Sequence, residues 1–132
     1  MDVARVESRL RSLLARNAEG IVAAYLFGSV ARGTARSTSD VDVGILFEEA
    51  PPATLSSPTS MLEGVLEREL GIPIQVVALN TAPVDLAIRV LRAERLLLDN
   101  DPSARIRFEV RVRNEYFDLE PYLRRYRKLE AP

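Results

Sequence analysis

The chain has 132 residues, of which 47% are hydrophobic and 28% are charged, and its formal net charge is −1. This length and composition are typical of one folded domain, here residues 1–132, and the near-neutral charge is atypical of proteins that bind duplex DNA. No apolar run approaches the roughly 18 residues of a membrane-spanning helix, and the charged N-terminus lacks the apolar core of a secretion signal. We therefore expect a cytoplasmic protein that does not enter a membrane.

The composition also limits the chemistry of any active site. Cysteine and histidine are both absent, which excludes thiolate nucleophiles, zinc–thiolate sites and the usual Ser/His and Cys/His catalytic arrangements. Lys128 is the only lysine, so a phosphate-binding loop with its essential lysine is excluded as well. Any catalysis must use carboxylates, hydroxyls, arginines or a metal ion.

The first half of the sequence predicts two helices, two strands and a loop. Apolar residues spaced three or four apart indicate a surface helix over residues 2–17, with Asp2 as its cap. The apolar runs "IVAAYLF" and "VDVGILF" indicate strands at residues 21–27 and 41–47. The segment 48–60 is rich in Pro, Ser and Thr and indicates an exposed loop, after which "MLEGVLEREL" indicates a helix.

The second half continues the alternation of strands and helices. The run "IPIQVVAL" indicates a third strand, and "RLLLDN" indicates a short edge strand. Between them lies a helix pattern, for which Asn80 or Thr81 is the candidate cap and Pro83 lies in the first turn. This order of elements predicts an α/β layered fold with a partly parallel sheet.

The segment 105–113, "RIRFEVRVR", carries conflicting signals. Its strict apolar/polar alternation favours a strand, whereas Asp101 followed by Pro102 is typical of a helix start. We interpret it as a C-terminal helix whose apolar residues form two stripes, one expected to pack on its own domain and the other to contact a partner or a second copy. One stripe comprises Ile106, Val110 and Phe117, and the other comprises Phe108, Val112, Tyr116, Leu119 and Leu123.

The stretch between the first two strands, "GSVARGTARSTSDVD", concentrates candidate functional residues. Asp40 and Asp42 point to the same face of a strand, with Cα atoms about 6.6 Å apart, and such paired carboxylates suit Mg²⁺. Gly28 and Ser29 end the first strand in a turn whose amides and hydroxyl suit phosphate oxygens, and Arg32 adds positive charge. The structural alternative is a connecting turn, capped by Asp40, with a solvated Arg32.

The complete pattern of Gly-Ser, ten residues and Asp-x-Asp resembles the signature of the minimal nucleotidyltransferases of the polymerase-beta-like superfamily. This resemblance implies a nucleotidyltransferase fold, with a small mixed sheet flanked by helices and a C-terminal helix. It also implies that Gly28, Ser29 and Arg32 bind a nucleoside triphosphate. Asp40 and Asp42 would then be the catalytic residues and the ligands of Mg²⁺.

The resemblance extends to the later segment "LNTAPVDLAIRVLRAERLLLDN" and to "YFD" in the C-terminal helix, which are similar to the MntA-like antitoxins. Proteins of that branch accompany a HEPN-domain toxin, so the resemblance implies a toxin partner. It further implies transfer of AMP from ATP to a hydroxyl of the toxin, expected to be a tyrosine, which neutralises the toxin. A protein acceptor also suits a chain in which we identify no second domain for a small molecule or an RNA.

The sequence departs from the superfamily at the third carboxylate, which is expected in the strand after the second long helix. The polar residue of that strand is Gln75, which cannot accept a proton from an attacking hydroxyl, and loss of a positioned base typically costs about 100- to 10,000-fold. Asp85 and Glu48 are alternative carboxylates but lie far along the chain. A slower transfer that depends on magnesium and positioning remains open, and so does a binding-only antitoxin. A nucleotidyltransferase that acts on a small molecule is the third hypothesis.

Overall fold

This computed structural model describes residues 2–33, 40–52 and 57–130. Its strands are β1 Ile21–Phe27, β2 Val41–Phe47, β3 Ile74–Ala78 and β4 Leu96–Asp99. They form one mixed sheet in the order β3-β2-β1-β4. The β2–β3 pair is parallel, whereas β1 pairs antiparallel with both β2 and β4. The predicted α/β fold with a partly parallel sheet is therefore confirmed, and β4 is an edge strand as expected.

Five helices accompany the sheet in the described part of the chain. They are α1 Val3–Arg16, α2 Gly28–Ala31, α3 Pro58–Leu70, α4 Val84–Arg92 and α5 Pro102–Glu130. The short helix α2 replaces the simple turn expected after β1. Within the described ranges, every helix is too short or too polar to span a lipid bilayer.

The sheet lies between two helical layers, α1 with α3 and α4 with α5. Successive strand residues point to opposite faces, so β1 sends Leu26 towards α1 and α3 and sends Tyr25 towards α4 and α5. Both faces are covered, which explains why all seven residues of β1 are buried and why its sequence is apolar throughout. The even-numbered residues of β2, including Asp42, lie on the α4/α5 face.

The ends of the helices follow local chemistry. Asp2 caps α1 as predicted, because its carboxylate accepts a hydrogen bond from the Arg5 amide at 3.3 Å. The predicted loop over residues 48–60 is wrong at its end, because α3 already begins at Pro58. Ser57 Oγ accepts from the Ser60 amide at 3.3 Å, and proline at the first helical position needs no hydrogen-bond acceptor. Residues 53–56 of the predicted loop lie outside the described residues.

The predicted cap of α4 is also wrong. The helix begins at Val84, and Pro83 occupies the N-cap position without a side-chain cap. Asn80 instead binds the end of β2, where its amide nitrogen donates to the Phe47 carbonyl and its carbonyl accepts from the Phe47 amide, both at 2.9 Å. The side chain of Asn80 therefore pairs with the backbone groups of Phe47 and does not cap α4.

The C-terminal segment is the helix α5, which resolves the conflict between the two sequence signals. Phe108 and Val112, which belong to one of the two predicted stripes, are buried against the α4/α5 face of the sheet. The opposite stripe is exposed, and Phe117 is 80% accessible. Leu119 belongs to the same stripe as Phe108 but is exposed, and no described residue of α5 after Val112 is buried.

Candidate active site

Gly28 brings the end of β1 into contact with the start of β2. Its φ is +78°, a left-handed conformation that favours glycine, and a Cβ at this position would overlap with the Asp42 carboxylate. The antiparallel register places Phe27, the preceding residue, opposite Asp42. Glycine is therefore required here both for its backbone conformation and for the space that the carboxylate occupies.

A cavity of about 610 Å³ opens beside this contact, within the usual range for small-ligand sites. Gly28, Ser29, Arg32 and Asp42 line it together. The other lining residues come from the end of β1, from β3 and from α4 and the residue after it, and are Phe27, Gln75, Val77, Leu86, Arg89, Arg92 and Ala93. Four of the five residues that the sequence motif singled out thus surround a common space on the α4/α5 face, whereas Asp40 does not line it.

The two aspartates differ in their surroundings. Asp40 is exposed directly before β2, whereas Asp42 is half-buried within the strand. Burial raises the pKa of Asp42, the negative charge of Asp40 raises it further, and the Arg32 guanidinium lowers it. A carboxylate held in such an environment gains from a nearby cation.

These two aspartates fit Mg²⁺ only in part. In the residues that the structure describes, no three acidic, histidine or cysteine side chains converge on a point where a metal ion could bind. Mg²⁺ commonly binds through one or two carboxylates and takes its remaining ligands from water and phosphates. Asp40 and Asp42 therefore suit an ion that arrives together with a nucleotide.

Gln75, where we expected a third carboxylate, lies next to Asp42 in the sheet. It is the parallel neighbour of Asp42 in the β2–β3 register, and both side chains line the cavity. Glu48 follows the opposite end of β2, and Asp85 is exposed in the first turn of α4. Neither alternative lines the cavity as far as the chain is described, so the site contains a neutral amide beside Asp42.

Arg89 and Arg92 line the same cavity and were missed by the sequence analysis. They lie three residues apart in the last turn of α4, a spacing that places both on one side of the helix. The Arg92 guanidinium lies 4.7 Å from the centre of the Tyr116 ring on α5. The arginine spacing was visible in the sequence, but only the placement of α4 on the sheet shows that both side chains reach the cavity.

Arg92 also lines a second cavity of about 510 Å³ between α4 and α5. This neighbouring cavity contains Tyr116 and the exposed ring of Phe117, together with Arg113. Its remaining lining residues are Ile88, Leu91, Glu94 and Glu120. The C-terminal helix is thus in direct contact with a side chain of the candidate site.

The fold and the arrangement of these residues define a nucleotidyltransferase. The chain belongs to the family described as Polymerase beta, Nucleotidyltransferase, whose model matches residues 9–103. The match covers the sheet, the helices α2 to α4 and the first residues of α5. No curated protein matches the sequence.

Several solved structures share this fold. A toxin–antitoxin complex with AMP-PNP contains a chain that is 23% identical with a TM-score of 0.75, covering 95% of this chain and 98% of that one. The MNT antitoxin complex with a tri-AMPylated HEPN toxin from Shewanella oneidensis gives 20% identity and a TM-score of 0.71, covering 98% of this chain and 100% of that one. A provisionally assigned minimal nucleotidyltransferase is 36% identical with a TM-score of 0.58, covering 70% of this chain and 92% of that one.

Proposed function

We propose that this nucleotidyltransferase transfers AMP from ATP to a tyrosine hydroxyl of a cognate HEPN-domain toxin and thereby neutralises it in the cytoplasm. The observation that carries the proposal is the packing of the Asp42 carboxylate against Gly28 at the edge of a nucleotide-sized cavity. Two neighbours in fold support the choice of nucleotide and acceptor. One is a toxin–antitoxin complex with AMP-PNP, and the other contains a tri-AMPylated HEPN toxin.

In this proposal the residues around the cavity bind and orient the triphosphate. Gly28 allows its backbone to approach the phosphates closely, Ser29 offers its hydroxyl, and Arg32 adds positive charge. Asp40 and Asp42 are the residues that would hold Mg²⁺, which when bound neutralises phosphate charge. An acceptor oxygen then attacks the α-phosphorus in line with the bond to the β-phosphate, and pyrophosphate leaves with the electrons of that bond.

Gln75 affects the fate of the acceptor proton. Its amide beside Asp42 can hydrogen-bond an incoming hydroxyl, but it cannot take up the proton. The proton must therefore pass to a group other than Gln75, such as solvent, the nucleotide phosphates or a carboxylate of the site. Transfer then depends mainly on positioning and charge, which phosphoryl chemistry allows, and we expect a slow enzyme.

The second candidate function is neutralisation of the toxin by binding alone. Gln75 favours it because a carboxylate is absent where a base would act. The exposed apolar residues of α5 favour it as well, because they form a surface suited to a protein partner. They include Ile106, Val110, Phe117, Tyr122, Tyr126 and Leu129.

The mass of the toxin after incubation with this protein, ATP and Mg²⁺ separates the two functions. We expect an increment of one or more AMP groups with the wild-type protein and none with the Asp42→Asn variant, which keeps the shape of the side chain and loses its charge. Equal labelling by the variant would contradict the site assignment. Toxin that is silenced without any mass increment would instead establish the binding function.

A further inference from the structure

The cavity has an excess of positive side chains. Arg32, Arg89 and Arg92 all line it, whereas Asp42 is the only carboxylate among its described lining residues. A carboxylate at position 75 would have added negative charge next to Asp42, but glutamine is neutral. The site is therefore suited to a polyanion that brings few cations with it.

Arg89 and Arg92 are available for an anionic ligand. Neither forms an ion pair with any residue in the described ranges, although other arginines of the fold do. Arg95 binds Glu7 at 3.0 Å, and Arg105 binds Asp99 at 2.9 Å. The position of the two arginines in the last turn of α4 is favourable for helix stability by itself, but it does not explain why both side chains border the cavity.

The ring of Tyr116 holds Arg92 in place. Its contact with the guanidinium, at 4.7 Å from the ring centre, orients the planar group without consuming a hydrogen-bond donor. An arginine fixed in this way keeps its donors for phosphate oxygens, which it can bind in pairs. The contact with Tyr116 thus leaves the donors of Arg92 able to bind an anion in the cavity.

We propose that nucleotide binds this site with a single divalent cation, and that Arg89 and Arg92 neutralise the β- and γ-phosphates in place of a second cation. Two-metal sites stabilise both the attacking and the leaving oxygens of a displacement, and a second ion here would lack the carboxylate that Gln75 replaces. The guanidinium groups of Arg89 and Arg92 then stabilise the negative charge of the departing pyrophosphate. This inference rests on the proposed nucleotide site but not on the identity of the acceptor.

Binding of inorganic pyrophosphate to the metal-free protein tests the role of the arginines. By calorimetry we expect the wild-type protein to bind pyrophosphate, and we expect Arg89→Gln and Arg92→Gln each to weaken binding about tenfold, the size of one charge-assisted hydrogen bond pair. Arg68→Gln is the matched control, since Arg68 is an exposed arginine in the last turn of α3 and does not line the cavity. Equal affinities in all four proteins, or no binding by the wild type, would overturn the proposal.

The number of bound Mn²⁺ ions tests the role of Gln75. Electron paramagnetic resonance in the presence of α,β-methylene-ATP should count one bound Mn²⁺ per wild-type protein and two per Gln75→Glu variant, which exchanges only an amide for a carboxylate. Two ions in the wild type, or one in both proteins, would contradict the proposal. No toxin is present in either experiment, so failure of AMP transfer to a HEPN toxin would leave both results interpretable.

Discussion

The two faces of the sheet are built from different side chains. The face under α1 and α3 is covered by an apolar cluster that includes Leu10, Leu14 and Leu66, all fully buried. The face under α4 and α5 combines apolar packing with the candidate site and with a buried Tyr25, whose hydroxyl donates to Glu109 at 3.1 Å. The α1/α3 face is thus mainly apolar, whereas the α4/α5 face also accommodates a buried polar pair and the charged residues of the candidate site.

The outer edge of β3 is covered by two carboxylates of α3. Glu63 and Glu67 on α3 accept hydrogen bonds from the amides of Val76 at 2.9 Å and Ile74 at 3.1 Å. These amides belong to the outer side of β3, which has no further strand beside it in the described part of the chain. Because unpaired strand edges invite association with other chains, carboxylates of the α1/α3 layer protect the strand that carries Gln75 on its other face.

The largest effect on activity is expected from Gly28→Ala, which changes a residue of the candidate site on the α4/α5 face. The new Cβ would displace the Asp42 carboxylate, so we expect AMP transfer to fall by about 100-fold or more, because misplacing a group of the site by about 1 Å can cost that much. Gly20→Ala is the matched control, because Gly20 has a φ of +75° but a Cβ added there would meet no atom within 4 Å. Both variants should lose about 1–2 kcal/mol of stability through backbone strain, measured by denaturant unfolding, and only Gly28→Ala should lose activity.

An equal loss of activity in the two glycine variants would show that strain, and not the position of Asp42, accounts for the effect. Full activity of Gly28→Ala would remove the close contact from the proposed mechanism. Either result would weaken the view that the α4/α5 face is shaped around its carboxylate.

The second prediction tests whether the two faces of the sheet are energetically independent. Leu66→Ala removes a fully buried side chain from the α1/α3 face and should lower the free energy of unfolding by about 2–5 kcal/mol. Met61→Ala on the same helix is the control, since Met61 is 64% exposed and should cost little. Pyrophosphate affinity, measured where both variants are folded, should be unchanged in each. A weaker affinity in Leu66→Ala alone would show that the two faces are coupled.

The smallest effect concerns the buried polar group of the functional face. Burial, followed by the charge of Glu109 and its hydrogen bond, raises the pKa of Tyr25 well above its ordinary value of 10.0. The folded state therefore holds the Tyr25 proton more tightly than the unfolded chain does, and this contribution to stability is present below about pH 10 and is lost as the pH rises further. Thermal unfolding should show this decline in the wild type and a shallower one in Tyr25→Phe.

A wild-type stability that stays level above pH 10, or a decline of equal slope in Tyr25→Phe, would contradict this assignment. At neutral pH the variant should lose roughly 1 kcal/mol, because Glu109 gives up one hydrogen bond. Glu109 retains Arg105, whose Nη1 donates at 3.1 Å, so the carboxylate does not become unpaired.

Much of the fold can be predicted from local patterns in the sequence. The strands β1 and β2 follow from apolar runs, and the pairing of Asp42 with Gln75 follows once β3 lies parallel to β2. The helix α5 was harder to predict because polar and apolar residues alternate over residues 105–113, a pattern typical of a half-buried strand. Its start was nevertheless visible, since Asp101 caps it by accepting from the Ala104 amide at 3.1 Å.

The candidate site was only partly accessible to sequence reasoning. Gly28 and Asp42 belong to one motif, so their proximity is encoded within a short stretch of chain. Arg89 and Arg92 reach the cavity only because α4 packs on the sheet from a distant part of the sequence. Contacts of that kind depend on the tertiary arrangement of α4, which helix periodicity alone does not specify.

The contact between Arg92 and Tyr116 has a consequence for how such proteins diverge. A substitution in the first half of α5 that moves Tyr116 also moves a side chain of the nucleotide cavity. The part of the helix beyond Pro121 has no such contact with the cavity in the described structure, and Tyr122 and Tyr126 there are exposed. Substitutions beyond Pro121 can therefore accumulate without altering the lining of the cavity. Substitutions that move Tyr116, in contrast, also move Arg92.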